Sequence, residues 1–145
     1  QDESLCNQSL IISGAFYLKE ASQGSRISKY HFEASIAYWH TIKEDTQEKW
    51  ENILQLYNQL LQLEYSPIAA LNRTYALAKV SGKEAAIIEA EKFKLVDNHF
   101  YFVLLGELYK GIDNTKAKAH LEQALALAKT STDQQTIQRS IDLFK

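Results

Sequence analysis

The sequence has no methionine, one proline, one cysteine and five glycines in 145 residues. Average usage would place roughly ten glycines and seven prolines in such a chain, so the punctuation of a turn-rich sheet is missing and helix is favoured. With Cys6 alone, no internal disulfide and no thiolate metal cage can form, which excludes a secreted disulfide scaffold. Cys6 itself reads as a small buried hydrophobe. Because Gln1 is not an initiator methionine, the chain is expected to be a piece of a longer protein or a processed product. An excess of positive charge is lacking too: 16 Lys and Arg stand against 18 Asp and Glu, a formal net charge of -2. Domains that grip duplex nucleic acid are basic on at least one face, so no direct nucleic-acid contact is expected here. No apolar run approaches the ~18 residues of a membrane span, and the start, Gln1 to Asn7, is neither basic nor followed by a signal-like core. A reducing, cytoplasmic location without membrane contact follows as the expectation.

The usual chemical motifs are also missing. Gly14, Gly24, Gly82, Gly106 and Gly111 never cluster, so neither a P-loop nor a dinucleotide-binding turn is present. His31, His40, His99 and His120 form no i, i+4 pair and have no acid at ligand spacing, so no metal and no cofactor is expected. No Gly-x-Ser-x-Gly elbow occurs, and Cys6 lacks a positioned base. The carboxylates Glu44, Asp45, Glu89 and Glu91 read as solvent-facing charges, and the chain is expected not to be an enzyme. His31 and His40 read as half-buried packing residues of one helix. Trp39, Trp50, Tyr57, Phe100, Tyr101 and Phe102 read as core.

What is present is helical periodicity. From Gln47 to Leu63, residues Trp50, Ile53, Leu54, Tyr57, Leu60 and Leu61 fall at i, i+3, i+4, i+7, i+10 and i+11, one apolar stripe. Asp45 and Glu48 are spaced to open that helix as a capping box. Ser66 and Pro67 read as N-cap and first residue of the next helix, which runs to about Val80. Ser81 with Glu84 can open a helix from Lys83 to about Leu95, with Gly82 as a left-handed stop. The run Phe100 to Leu105 reads as a buried helix, Ala117 to Ala128 as a small-residue helix after the Gly111 to Asn114 turn, and Ser131 with Gln134 as the start of a last helix carrying Ile137, Ile141 and Phe144. Upstream, Ser28 can cap a helix to Thr41, and a first helix covers roughly Glu3 to Glu20. The expectation is a single all-α domain over residues 1–145, an antiparallel array of about seven or eight helices. Leading helices occupy 1–43 and paired helices 45–145.

Leu71 and Tyr75 recur as Leu105 and Tyr109, both at a separation of 34 residues, the period of a tetratricopeptide repeat. In the second unit Leu105, Gly106, Tyr109, Ala117, Leu121 and Ala124 follow that motif's order of large, small and aromatic residues. Small residues let two helices of a pair approach, while Tyr and Leu fill the groove between pairs. The first unit carries Asn72 where the small residue belongs. The period alone leaves both stacked repeats and ordinary antiparallel packing open.

Longer strings are more specific. Tyr30-His31-Phe32-Glu33-Ala34-Ser35-Ile36-Ala37 through His40, then Trp50 to Leu63, then Ser66-Pro67-Ile68-Ala69-Ala70-Leu71-Asn72-Arg73, resemble in order and spacing the C-terminal extension of a group of bacterial extracytoplasmic-function sigma factors. The resemblance spans most of the chain. It departs from the family pattern at Cys6, where an aromatic residue is common, and at Thr74, which replaces an alanine. It implies a regulatory, protein-binding extension that contributes to transcription initiation in the full-length protein, in place of a separate anti-sigma partner. The implied partners are the sigma domains of the same chain and core RNA polymerase, with promoter DNA reached only through N-terminal domains absent from this sequence. On this resemblance, Ser66, Pro67, Asn72 and Arg73 are the candidate interaction or helix-junction residues. His40, Trp50, Tyr57, Leu71, Tyr75, Leu105, Gly106 and Tyr109 are structural positions. A free-standing tetratricopeptide-like adaptor that binds peptides, or a small-molecule sensor, are the alternatives.

Overall fold

The computed structural model describes residues 17–144, with side chains from Arg26 onward. Among the described residues there are seven α-helices and no strand: α1 Tyr17–Thr41, α2 Gln47–Leu63, α3 Pro67–Ser81, α4 Lys83–Glu91, α5 His99–Tyr109, α6 Asn114–Leu127 and α7 Ser131–Asp142. The all-α expectation is met. The chain divides into two compact units, residues 1–70 and 71–145. The division falls inside α3, whereas the periodicity places a boundary near residue 44.

In the first unit α1 and α2 pack side by side. α1 is one unbroken helix of 25 residues, so Ser28 lies in its interior and caps nothing. A glycine inside a helix costs only about 1 kcal/mol, and Gly24 is not followed by a proline that would enforce a stop. The stripe of Phe32, Ile36 and Trp39 follows the expected break, with Ile36 buried. Cys6 and most of the expected Glu3 to Glu20 helix lie outside the described residues. α2 has the bounds its stripe predicts and buries Trp50, Ile53, Tyr57 and Leu60. Its cap differs by one residue. Thr46 accepts a hydrogen bond from the Lys49 backbone N–H at 3.1 Å, while the Asp45 carboxylate instead accepts the Trp50 indole N–H. The carboxylate is the better partner for a buried indole donor, which leaves the hydroxyl to close the first turn.

α3 opens as expected: the Ser66 hydroxyl accepts from the Ala69 N–H at 3.3 Å, and Pro67 occupies the first helical position. Gly82 then joins two helices with a single residue. Its N–H closes α3 on the Ala78 carbonyl at 2.9 Å, and its own carbonyl accepts the Ala86 N–H of α4 at 3.3 Å. The φ of 99° this requires is open to glycine and strained for other residues. Ser81 is therefore the last residue of α3, not the cap of α4, and α4 starts without a side-chain cap. α4 also ends at Glu91, short of the expected Leu95. Phe93 N–H turns back to the Ala90 carbonyl at 3.0 Å, and Lys94 takes a φ of 51°, which breaks the helix.

The run from Phe100 to Leu105 is helical. Asn98 caps α5 by accepting the Phe100 N–H at 2.9 Å, and the helix buries Tyr101, Phe102, Leu104, Leu105, Leu108 and Tyr109. Phe100 is half exposed and does not belong to the core. Asp113 caps α6 through the Lys116 N–H at 3.1 Å. α7 is capped by Thr130, which accepts the Asp133 N–H at 3.1 Å. The expected Ser131 and Gln134 box is displaced by one residue, because Gln134 donates its amide to the Ala128 carbonyl at 2.9 Å. One continuous core of the second unit runs from Leu71 through Ala86, Ala90, Leu105, Ala117, Leu121 and Ala124 to Ile137 and Ile141.

Candidate functional site

At the opening of α3, Ser66 and Pro67 start the helix, and Asn72 and Arg73 lie in its second turn. Asn72 is exposed and Arg73 half-buried. Asn72 is mid-helix and caps no end. With Ile68, Tyr75 and Lys79 it forms a solvent-facing stripe at i, i+4, i+7 and i+11, all four exposed, and the Lys79 ammonium lies 5.5 Å from the Tyr75 ring centre. Arg73 projects from a neighbouring face toward α4. The Glu89 carboxyl there is held below its usual range first by a hydrogen bond from Lys92 and, more weakly, by the Arg73 charge. α3 thus separates Asn72, open to a partner, from Arg73, engaged within the second unit.

The two halves of the 34-residue repeat differ in burial. Leu71 and Leu105 are both core, but Tyr75 is 41% exposed and Tyr109 only 7%. Around Tyr109 the packing is dense. Its hydroxyl donates to the Glu91 carboxylate at 2.6 Å, its ring lies near-parallel to that of His120 at 5.5 Å, and the Lys116 ammonium sits 5.4 Å from the ring centre. The hydrogen bond to Glu91, reinforced by burial, pushes the Tyr109 phenol up to about 12. A phenol held that firmly protonated at neutral pH is a structural donor and not a proton-transfer group. Gly106 explains the small-residue position: an added Cβ would lie 2.7 Å from Leu121 Cγ, so α5 and α6 approach to a distance that only glycine permits.

In the first unit Trp50 organises the structural positions. The His40 ring meets it edge-on at 6.0 Å, and the Lys49 ammonium sits 5.2 Å from its centre while donating to the Ile42 carbonyl at 2.7 Å. His40 is more exposed than expected, yet partial desolvation, followed by the Lys49 charge, keeps its imidazole below the usual range. The half-buried reading holds for His31. The roles of Lys49, Glu91 and His120 are not legible in the sequence, because each depends on a partner 7 to 18 residues away whose side chain arrives by packing. The one available signal was Lys49 directly beside the Trp50 stripe, where a buried lysine needs a carbonyl or ring to accept its charge.

Among the described residues no group of three or more His, Cys, Asp or Glu could hold a metal ion, and no helix is long and apolar enough to cross a membrane. No family model and no solved structure matches the chain. It is similar to an uncharacterized protein of Rhizobium meliloti (strain 1021), 31% identical over 146 residues, a match that covers 98% of this chain and 34% of that protein. The chain therefore spans about a third of the length of the relative it matches.

Proposed function

We propose that this chain is a non-catalytic regulatory domain of an extracytoplasmic-function type RNA polymerase sigma factor. It acts through protein contacts with the sigma domains of its own chain and with core RNA polymerase during transcription initiation in the cytoplasm. The observation that carries this reading is the ordered resemblance of three strings, Tyr30 to His40, Trp50 to Leu63 and Ser66 to Arg73. They fall on α1, on α2 and on the opening of α3 respectively. Two further points support it. The chain has no excess positive charge, as suits the part of a promoter-binding protein that leaves the DNA to other domains. The similar Rhizobium protein is about three times as long as the match, which leaves room for such domains. Exposed Asn72 is the residue we assign to a partner.

The test is promoter-dependent transcription by the full-length protein. Asn72→Ala is expected to lower it with helicity and melting temperature intact, and Arg73→Ala to lower it with some loss of stability through its place beside Glu89. If activity falls only where folding falls, the contact role of Asn72 is lost. The coding sequence upstream of Gln1 tests the family reading independently: two sigma-like helical domains support it, and an ordinary start codon at Gln1 refutes it. A free-standing peptide-binding adaptor is the second reading, favoured by the 34-residue recurrence and the close α5 to α6 approach at Gly106.

A further inference from the structure

His99 opens α5. Its side chain is only 17% exposed, and the Phe100 ring lies against it at 4.0 Å between centres. Among the described residues its Nε2 is the one buried side-chain nitrogen or oxygen without a hydrogen-bond partner. Asp133, in the first turn of α7, brings a carboxylate oxygen to 3.5 Å from that nitrogen. When the ring is neutral with its proton on Nδ1, two lone pairs face each other, and a neutral Nε2–H at this separation lies beyond normal hydrogen-bond range. A buried polar atom left in that state costs free energy. One proton removes the mismatch, because it makes Nε2 a charged donor and turns the contact into an ion pair.

We propose that His99 and Asp133 form a proton-operated latch between the starts of α5 and α7. Acidification closes it and fastens α7 to α5; at alkaline pH it stands open. α7 is suited to such control, since only Ile137 and Ile141 of this helix are buried. Its start is otherwise held by bonds three and six residues along the chain, the Thr130 cap and the Gln134 amide on the Ala128 carbonyl. Both helices present their positive ends at the latch, which opposes a charge on His99, so the charged ring depends on Asp133. Exposed Lys94 and Asp97 precede His99 in the α4–α5 connection, and exposed Lys129 precedes α7. On α4 the Glu91 carboxylate is taken by the Tyr109 hydroxyl, and on α6 His120 stacks on Phe102, one turn further along α5. The stabilisation is present while the ring is charged and is lost as pH rises and the ring gives up its proton.

The test is thermal unfolding of the whole chain at about pH 5.5 and about pH 8, near the two ends of the range in which histidine charge changes, followed by far-ultraviolet circular dichroism. Wild type, Asp133→Asn, His99→Gln and the double variant are compared. The margin by which wild type melts above Asp133→Asn is expected to be about 2–4 °C larger at the acid pH than at the alkaline one, the size of a partly exposed ion pair in a unit of this length. In the His99→Gln background the margin is expected to be the same at both, because the Asp133 charge at the start of α7 then acts alike at either pH. Comparison within each pH cancels the remaining histidines, His31, His40 and His120, and also any loss of stability that His99→Gln causes at both. The latch is overturned if the margin between wild type and Asp133→Asn does not change with pH. It is equally overturned if the acid gain persists with His99→Gln, because the proton then belongs to another group.

Discussion

Replacing Gly106 by alanine sets two effects of opposite sign against each other. Alanine is the better helix former, which favours the variant by about 1 kcal/mol at an interior helix position. The added methyl group would lie 2.7 Å and 2.8 Å from two carbons of Leu121 and 3.3 Å from the Ala117 carbonyl oxygen. Leu121 cannot swing aside, since it is 1% exposed and enclosed by the core. Relief therefore requires α5 and α6 to separate, and overpacking of this kind costs about 1–3 kcal/mol. The clash wins, for a net loss of about 1 kcal/mol and a melting temperature lower by about 3–6 °C. The assay is thermal and urea unfolding of a double-mutant cycle with Leu121→Ala. Leu121→Ala alone leaves a cavity and costs about 2–5 kcal/mol. The double variant should be more stable than the two single losses predict, because the new methyl enters the vacated space. A Gly106→Ala variant more stable than wild type, or strict additivity in the cycle, would refute the close approach as the reason for glycine.

Two further outcomes follow from the caps and the buried phenol. Tyr109 is raised to about 12 in the folded chain against about 10 when unfolded, so its contribution is complete below pH 10 and is lost as pH rises toward 12. Tyr109→Phe should flatten that alkaline limb of the stability curve and remove the latest phenol from the ultraviolet titration, leaving Tyr101, which burial also pushes up; an unchanged limb in the variant would count against the Glu91 bond. Thr46→Ala removes the acceptor for the Lys49 N–H and should cost about 1 kcal/mol of unfolding free energy, whereas Glu48→Gln, the other half of the expected box, should leave stability nearly unchanged.

Much of this molecule is determined by local pattern. Scarcity of glycine and proline together with 3.6-residue periodicity dictate helices. The bounds of α2 follow from its stripe and the opening of α3 from Ser66-Pro67, because a helix start is a matter of neighbouring residues. The 34-residue recurrence likewise identifies Gly106 as a close-approach position before any contact is seen. Errors fall where two local solutions compete and distant packing chooses between them. Asp45 and Thr46 are both competent caps, and a buried indole five residues away decides between them. α1 carries Gly24 and Ser28 without breaking, because an interior glycine costs only about 1 kcal/mol and no proline follows to enforce a stop. Tyr75 and Tyr109 occupy equivalent places in the repeat, yet only Tyr109 has Glu91, His120 and Lys116 around it. Periodicity can specify which face of a helix is apolar, but only tertiary structure decides whether that face is covered. The exposure of Asn72 was therefore beyond the sequence alone, since exposure belongs to the surroundings of a residue and not to its identity.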